Sequence, residues 1–544
     1  MKDGIPYDET QFAILLVGYL CLFPLLVFVL VRQRERLADL LGEHAKRGLL
    51  LAVLVGLVLR ALWPDLTVFH ENGHGYRLIG MAVEPSSDLH VYGSGYQAFF
   101  HLIFQVLPSV TGVVLVTNVL LGTATIFFGG LLGSAVFGSR AGVFGAWALA
   151  CLPVHIKLSA TESPFVLSIF LAAVALWAVH VLRSRSCYAV AIVAGLAAAL
   201  AAQGRPMMIA VPFYVLLFGM ACPAGGLRWL RERTTWVFLA VMAAVLTLHV
   251  SWLLELHGDG GRLGDYGQFL ERGPERVWST MIDRGLLLDP FFTPAHFIAL
   301  AFLGFAVSWQ NARRGALILM AGFLGMAWAY GARANHYSEA LRFAAAPQVF
   351  MALLMGPALA RSVDWIQSRW PGRPRLSYAP ALGLVAAGLF AHHAITTPTA
   401  DALEYGFLQE SIEKAPAGCA LITPPARMGR GRIETSFPFY EFRERNPGND
   451  HYNWGLARVD QPMWDGLRHN NSCVIYYRGL GCTSFLPEEG KAEGLRQPCQ
   501  DFEDTFELEA LHKAKFDGTQ LPRHLHRHPD GEYELGLFRV LRKR

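Results

Sequence analysis

Long apolar runs separated by short polar segments dominate the first 395 residues of the chain. A helix needs roughly 20 apolar residues to cross the hydrocarbon core of a bilayer, so this pattern predicts about twelve spanning helices. The runs 48–63 and 206–221 are short enough that neighbouring helices should shelter them from lipid. The expected bounds are 11–31, 48–63, 111–137, 141–156, 163–182, 187–203, 206–221, 235–255, 291–309, 315–331, 343–360 and 379–395.

The pattern changes after residue 396, where short apolar segments alternate with polar ones. CALIT at 419–423 and SCVIYY at 472–477 are typical of strands, and Asp530-Gly531 is a hairpin signal. The sequence therefore predicts an all-α transmembrane bundle of about twelve spanning helices followed by a small C-terminal α/β domain. The expected regions are an N-terminal extra helix with a polar loop (1–47), a main transmembrane region (48–395) and the C-terminal domain (396–544).

The composition supports membrane residence and argues against nucleic acid as a partner. Hydrophobic residues make up 53% of the chain and charged residues 17%, whereas soluble domains carry about 25% charged residues. The formal net charge is only +4, and the basic residues are scattered between apolar runs. A nucleic-acid-binding protein would concentrate them in one stripe or patch, so nucleic acid is not an expected partner.

Lysine and arginine set the orientation, because they accumulate in cytoplasmic loops. With the N-terminus outside, the cytoplasmic loops hold seventeen of them over about 59 residues, and the opposite short segments hold ten over about 111. The sequence thus predicts an integral protein of a bacterial-type plasma membrane with both termini extracytoplasmic. Residues 1–10 lack the basic start of a cleaved signal peptide, so the first span should remain as an anchor. The expected outer loops are 64–110, 256–290 and 332–342.

Four of the eight cysteines cluster in the C-terminal domain, which this orientation places outside the cytoplasm, as a periplasmic domain of the cell envelope. They are Cys419, Cys473, Cys482 and Cys499. In an oxidising compartment they could form two disulfides, with three possible pairings. The alternative is four free thiols.

The first outer loop has an unusual density of ionisable residues at the membrane surface. Asp65, His70, Glu71, His74 and Arg77 lie within a few residues of one another and follow the second span directly. Stranded ionisable groups are costly at a membrane unless they serve a site. The next segment, YGSGYQAFFHLIFQVLPSV, is expected to form a helix in the interface. Together they predict a cavity at the outer leaflet.

The order of these parts resembles the GT-C superfamily of polytopic glycosyltransferases, in particular the protein O-mannosyltransferase and aminoarabinose-transferase branch. Three further segments carry the resemblance. They are LPVHIKLSATESPFVLSIFLAAVALWAV (152–179), AALAAQGRPMMIAVPFYVLLF (198–218) and RANHYSEALRFAAAPQVFMALL (333–354). The resemblance implies a sugar donor linked to polyprenyl phosphate, a lipid, glycan or protein acceptor, and no metal or other cofactor. Members usually carry an acidic pair in the first loop, whereas this chain has His70-Glu71, so the identity of the base stays open between Glu71 and Asp65.

The chemistry of such a transfer requires a carboxylate to deprotonate the acceptor hydroxyl and cations to hold the departing phosphate. Glu71 is the first choice for the base, with Asp65 as the other carboxylate. His70 and His74 are candidates to orient the acceptor, and Glu162 would either orient it or pair with a cation. The candidates to bind the phosphate are Lys157, Arg205, Arg333 and Arg342, because arginine in particular suits phosphate oxygens.

Two other functions remain open at this point. His70-Glu71-Asn72-Gly73-His74 matches H-E-x-x-H, the pattern of zinc peptidases. That chemistry needs both histidines on one face of a continuous helix, where Gly73 and Gly75 would each cost about 1 kcal/mol. A twelve-helix transporter or flippase is the second alternative, although the two halves of the chain show no repeat and the charges concentrate in outer loops.

Overall fold

The computed structural model describes most of the helical region and the larger part of the C-terminal sheet. The described residues are 9–62, 94–184, 186–221, 226–255, 293–333, 337–371, 400–423, 472–479, 493–517 and 532–543, with short pieces at 5–6, 82–83, 88–89, 278–279, 383–384, 451–453, 465–466, 468–469 and 482. The predicted first-loop residues Asp65, His70, Glu71 and His74 lie outside them.

The chain divides into two compact units. The first, called here the membrane unit, comprises Met1–Pro64, Pro85–Ile103 and Leu115–Thr396. The second, called here the C-terminal unit, comprises Asp65–Glu84, Phe104–Val114 and Thr397–Arg544.

Helices make up nearly all of the described membrane unit. In chain order they are α1 (Glu9–Arg32), α2 (Arg34–Ala61), α3 (Gly95–Phe104), α4 (Thr111–Phe137), α5 (Ser139–Ala150), α6 (Pro153–Ser159), α7 (Pro164–Ser184), α8 (Tyr188–Gly204), α9 (Ala210–Ala221), α10 (Arg233–Glu255), α11 (Ala295–Ser308), α12 (Arg313–Arg333) and α13 (Tyr337–Arg369). Two 3-10 helices, Pro206–Ile209 and Gly226–Arg231, precede α9 and α10, and a two-stranded antiparallel pair joins β1 (Ile5–Pro6) to β2 (Asp88–Leu89).

The apolar helices are those of an integral membrane protein, but the predicted count of about twelve spans is not confirmed. Four helices in the described part are long and apolar enough to cross a bilayer: Glu9–Arg32, Thr111–Phe137, Pro164–Ser184 and Phe343–Arg369. The pair α5 and α6 passes the same test as one bent element, with a bend of 62°. Four shorter apolar helices are Tyr188–Gly204, Ala210–Ala221, Arg233–Leu248 and Ala295–Ser308.

Helix α7 lies at the centre of the membrane unit because it is apolar on all sides. Its residues from Pro164 to Val179 are all buried, and it packs between α8 and the preceding segment. A helix that is apolar all round belongs in the interior of a bundle. The extra helix α1 packs on α8 from the outside, where Gly18 approaches Leu200.

The predicted span 141–156 is broken in the structure. Helix α5 ends at Ala150 and α6 begins at Pro153, so that Cys151 and Leu152 form the break. Proline cannot donate a backbone hydrogen bond and clashes with the preceding turn, so a helix must end or bend before it. Pro153 is visible in the sequence, but the mean hydropathy of the segment 141–156 does not show its effect on the backbone.

The C-terminal unit contains a five-stranded mixed sheet in the order β4-β3-β5-β7-β6. Its elements are α14 (Ala400–Lys414), β3 (Cys419–Thr423), β4 (His451–Asn453), β5 (Cys473–Arg478), α15 (Glu493–Thr505), β6 (Phe506–Asp517) and β7 (Glu532–Lys543). Strand β3 runs parallel to β4 and β5, while β7 pairs antiparallel with β5 and β6. The predicted strands at 419–423 and 472–477 are therefore present.

Both faces of this sheet are covered, which explains its continuous apolar strands. Successive side chains of a strand point to opposite faces. Cys419 and Leu421 accordingly pack with Phe407 of α14, whereas Ala420 and Ile422 pack with Phe502 of α15.

Strands β6 and β7 form an antiparallel pair beside the hairpin signal at Asp530-Gly531. Strand β7 begins at Glu532, directly after the signal, and Glu532 pairs with Asp517. The signal itself lies in the segment 518–531, which is outside the described residues.

The structure selects one of the three possible disulfide pairings. Cys419 bonds to Cys473 and Cys482 bonds to Cys499, with sequence separations of 54 and 17 residues. The first disulfide joins two neighbouring parallel strands, where Cys419 and Cys473 are directly paired in register. Register therefore decides the pairing.

Replacing both Cys419 and Cys473 by serine should destabilise the C-terminal unit by about 2–4 kcal/mol, because the cross-link no longer restricts the unfolded chain. Pulse proteolysis of the full-length protein in urea would measure the loss, and non-reducing peptide mapping would verify both bonds. Cys187→Ser is the control, since Cys187 is a free thiol. A double variant as stable as the Cys187→Ser control would contradict the assignment.

Candidate active site

A polar turn lies in the interior of the membrane unit, between the break at Cys151 and the start of α7. Every residue from Cys151 to Ser163 is buried, including the ionisable residues His155, Lys157 and Glu162. Lys157 has no exposed surface, and Glu162 is 1% exposed. This stretch, residues 151–163, is called the buried turn below. Uncompensated polar groups in such surroundings cost several kcal/mol, so side chains of neighbouring helices must bind them.

Tyr96 and Asn118 bind the backbone carbonyls of the buried turn. The Tyr96 hydroxyl of α3 donates to the Glu162 carbonyl at 2.6 Å. The Asn118 amide of α4 donates to the Thr161 carbonyl at 2.6 Å and to the Tyr96 hydroxyl at 3.2 Å. Both side chains are fully buried. Two helices thus fix the backbone that carries Glu162.

The buried turn also stabilises its own conformation. The Thr161 hydroxyl donates to the Leu158 carbonyl at 2.8 Å and accepts from the Ser163 amide at 3.2 Å. The Ser159 hydroxyl donates to the carbonyl of His155 at 2.6 Å. Serine and threonine favour such local bonds at the ends of helices.

Arg205 lies at the junction of α8 and the following 3-10 helix, where Pro206 ends the regular helix. It is 1% exposed, and its guanidinium carbon lies 5.1 Å from the centre of the Phe165 ring. An arginine over an aromatic face gains a cation–π interaction. Phe165 is the second residue of α7, three positions after Glu162.

The first turn of α3 brings Arg205 and the buried turn to one place. A Cβ atom on Gly95 would lie 2.5 Å from the carbonyl carbon of Gln203 and 2.7 Å from the amide nitrogen of Gly204. Gly95 therefore contacts the end of α8, and Tyr96 beside it binds the Glu162 carbonyl. The sequence-predicted residues Lys157, Glu162 and Arg205 thus all lie in this interior region.

The helix predicted within 92–110 is present as α3, and its first turns are buried in the protein. Its residues Gly95 to Phe100 are all buried. Tyr96 must reach the Glu162 carbonyl, which draws the first turn into the bundle.

The remaining predicted site residues are not described in enough detail to place their side chains. Arg333 is the last residue of α12 and Arg342 lies in α13, but their side chains are outside the described part. Asp65, His70, Glu71 and His74 lie outside it entirely.

Sequence reasoning missed the residues that build the site from within the spans. Arg60, Tyr96, Asn118 and His155 are all buried, and each forms a hydrogen bond to or within the segment from Leu149 to Ser163. A signal was available for Arg60 and Asn118. A charged or amide side chain inside an apolar run is expensive in lipid and therefore marks an interior site.

A small apolar pocket of about 20 Å³ lies beside this region. Its lining is apolar throughout and comes from α4, α7, α12, α13 and Met208 of the 3-10 helix. The Tyr330 hydroxyl contacts the Met208 sulfur at 2.9 Å, and the Tyr330 ring stacks on Phe343. Phe343 in turn meets Phe165, the ring under Arg205. Aromatic contacts thus connect the arginine to the pocket.

The chain has the fold of the GT-C glycosyltransferases. It is similar to the crystal structure of ArnT from Cupriavidus metallidurans in the apo state, with a TM-score of 0.52, 11% identity, and coverage of 91% of this chain and 98% of that one. The structure of ArnT from Cupriavidus metallidurans bound to undecaprenyl phosphate gives a TM-score of 0.52, 12% identity, and coverage of 90% and 97%.

The likeness to the oligosaccharyltransferase AglB from Archaeoglobus fulgidus is weaker. It has a TM-score of 0.48, 14% identity, and coverage of 88% of this chain and 74% of that one. No protein-family model matches the sequence, and no curated protein matches it. At these identities the comparisons establish the fold alone, and the activity must be argued from the site.

Gly95→Ala should destabilise the membrane unit by about 1–3 kcal/mol, because the added methyl group meets backbone atoms that cannot move independently. Thermal unfolding of the purified protein in detergent would measure this effect. Gly325→Ala in α12 is the matched control, since its Cβ would meet no atom within 4 Å. Equal melting temperatures for the two variants would show that α3 does not contact α8 closely.

Proposed function

We propose that this protein is an integral membrane glycosyltransferase that moves a sugar from a polyprenyl-phosphate-linked donor to a lipid, glycan or protein acceptor. Residues 48–395 form the catalytic region in this proposal, and 396–544 form an extracytoplasmic domain. The observation that carries it is the burial of Lys157, Glu162 and Arg205 together in the interior of an apolar helical unit.

Stability alone does not favour these residues. Removing a charged group from water costs several kcal/mol even when it is paired, and apolar residues of similar size are often at least as stable. Lysine and arginine are the side chains that bind phosphate groups in proteins, which supports a phosphate-binding role for Lys157 and Arg205.

The apolar helix surfaces near Arg205 support a donor that carries a hydrocarbon chain. A polyprenyl phosphate needs cations for its head and apolar surface for its tail. Arg205 is a candidate for the first. The helix surfaces that line the small pocket are candidates for the second, and Phe165, Phe343 and Tyr330 connect them to Arg205. The structurally similar ArnT was crystallised with undecaprenyl phosphate, which is a ligand of this class.

The proposed reaction is a direct displacement at the sugar. A carboxylate of the first loop, Glu71 or else Asp65, accepts the proton of the acceptor hydroxyl, whose oxygen then forms a bond to the anomeric carbon. The bond between that carbon and the phosphate oxygen breaks, and polyprenyl phosphate leaves with the electron pair. Lys157 and Arg205 stabilise the departing charge, with Arg333 and Arg342 as further candidates. His70, His74 and Glu162 would orient the acceptor.

The disulfides support the proposed orientation. Disulfide bonds persist in oxidising compartments and are rare in the cytosol. The two bonds of the C-terminal unit therefore support placing that unit, and with it the C-terminus, on the extracytoplasmic side.

Arg205→Met and Lys157→Met should each weaken binding of undecaprenyl phosphate roughly tenfold or more, because each removes a charge that the phosphate contacts. Titration of the protein in nanodiscs, followed by native mass spectrometry, would measure the dissociation constants. Arg183→Met is the matched control, because Arg183 is also buried but lies over Trp229 at the far end of α7. Unchanged affinity in both site variants would refute the proposed phosphate site.

Glu71→Gln should reduce sugar transfer by about 10²–10⁴-fold while leaving undecaprenyl phosphate affinity unchanged, since the amide cannot accept the acceptor proton. Transfer of radiolabelled sugars from polyprenyl-phosphate donors to membrane acceptors would be the assay. Asp65→Asn, tested in parallel, separates the two carboxylates. If neither variant loses transfer, the base lies elsewhere.

A further inference from the structure

Arg60 is the last basic residue of α2 and has no exposed surface, although no step of the proposed reaction uses it. It is the penultimate residue of α2, and the residues 48–59 before it carry no charged or polar side chain. Within a membrane protein an interior charge of this kind marks a functional feature more often than an accident of packing.

The guanidinium of Arg60 binds both sides of the break between α5 and α6. On one side, Nη2 donates to the carbonyl of Leu149 and Nη1 to the carbonyl of Ala150, each at 3.2 Å. On the other side, Nη2 lies 2.8 Å from Nδ1 of His155 in α6. Nη1 also donates to the Gly56 carbonyl of its own helix at 2.8 Å.

The break creates the need for these bonds. The last carbonyls of a helix have no partner in the following turn, and in lipid no water is available to replace it. Leu149 and Ala150 are the last two residues of α5, and the Leu149 carbonyl accepts a long backbone hydrogen bond of 3.4 Å from the Leu152 amide. A cation at this end also complements the negative end of the helix dipole.

The His155 bond fixes the protonation of that ring. A guanidinium has only donors, so Nδ1 must accept and the proton must be on Nε2. The Ser159 hydroxyl uses its proton for the His155 carbonyl at 2.6 Å. His155 is therefore held as a neutral imidazole whose orientation depends on Arg60.

Two glycines allow α2 and α4 to approach closely beside the guanidinium. A Cβ on Gly56 would overlap the Ile126 side chain of α4 and would lie 3.2 Å from Nη1 of Arg60. A Cβ on Gly122 of α4 would lie 3.4 Å from Nε of Arg60 and would overlap the Ser159 side chain. Helices α2 and α4 thus approach the break closely on both sides of the arginine.

We propose that Arg60 is a positioning residue that holds the 62° bend between α5 and α6 and thereby places Lys157. His155, which Arg60 binds, is two residues before Lys157 in the same short helix. The effect on phosphate binding rests on the function proposed above, whereas the effect on the bend does not.

The test compares Arg60→Met, Arg60→Lys and Arg183→Met in the full-length protein in nanodiscs. The first readout is the rate at which N-ethylmaleimide labels Cys151, measured by peptide mass spectrometry. Cys151 lies in the break and is buried, so its labelling rate relative to wild type reports local opening of the break. The second readout is the dissociation constant for undecaprenyl phosphate.

Arg60→Met should raise the labelling rate of Cys151 roughly tenfold over wild type, because the break opens more often once the Arg60 hydrogen bonds no longer hold it closed. Its dissociation constant for undecaprenyl phosphate should rise by a similar factor. Arg60→Lys keeps the charge and one or two of the hydrogen bonds. Its labelling rate and its dissociation constant should therefore lie between those of wild type and Arg60→Met. Arg183→Met should change neither.

Equal labelling in Arg60→Met and wild type would overturn the proposal, as would the same increase in Arg183→Met, which would indicate general loosening. If Arg60→Met does not fold, Arg60→Lys is compared with Arg183→Met instead. Faster labelling of Cys151 in Arg60→Lys than in Arg183→Met supports the proposal, and equal labelling overturns it. A wild-type protein that binds no undecaprenyl phosphate would refute the proposed function, while the labelling arm would still decide whether Arg60 holds the bend.

Discussion

The absence of water inside a bilayer is the constraint on which the rest of the membrane unit depends. A helix that breaks there exposes carbonyl groups that only other parts of the protein can bind. The break at Cys151 and the buried turn after it meet this requirement with Arg60 from α2, Tyr96 from α3 and Asn118 from α4. Three helices are thereby tied to one irregular segment.

This arrangement explains how an apolar bundle can contain a site for ionic chemistry. Lys157 and Glu162 are carried by the buried turn, and Arg205 follows a second helix interruption before Pro206. Irregular backbone is tolerated at membrane depth where protein encloses it. The same interruptions that cost regular hydrogen bonds allow charged side chains to be buried in the interior of the apolar unit.

Much of the architecture could be predicted because it follows from averages along the chain. Hydropathy predicts the apolar helices α4, α7 and α13, and the resemblance predicts the GT-C fold, which the structure confirms. Strands β3 and β5 follow from short apolar runs. The break at Cys151 and the partner of Glu532 are different, because they depend on local backbone geometry and on register, which averages do not record.

The sequence by itself determined which residues leave water and which chemistry is available: apolar helices, a handful of interior cations, and an even set of cysteines in a separate domain. It also singled out Lys157, Glu162 and Arg205, although Arg205 is far from the other two in the chain. Only the tertiary structure decided that Arg60, Tyr96 and Asn118 bind the same break and turn, and which cysteines are bonded. The reason is physical: hydropathy is a property of single residues and short windows, whereas a hydrogen bond inside a membrane depends on how separate helices meet.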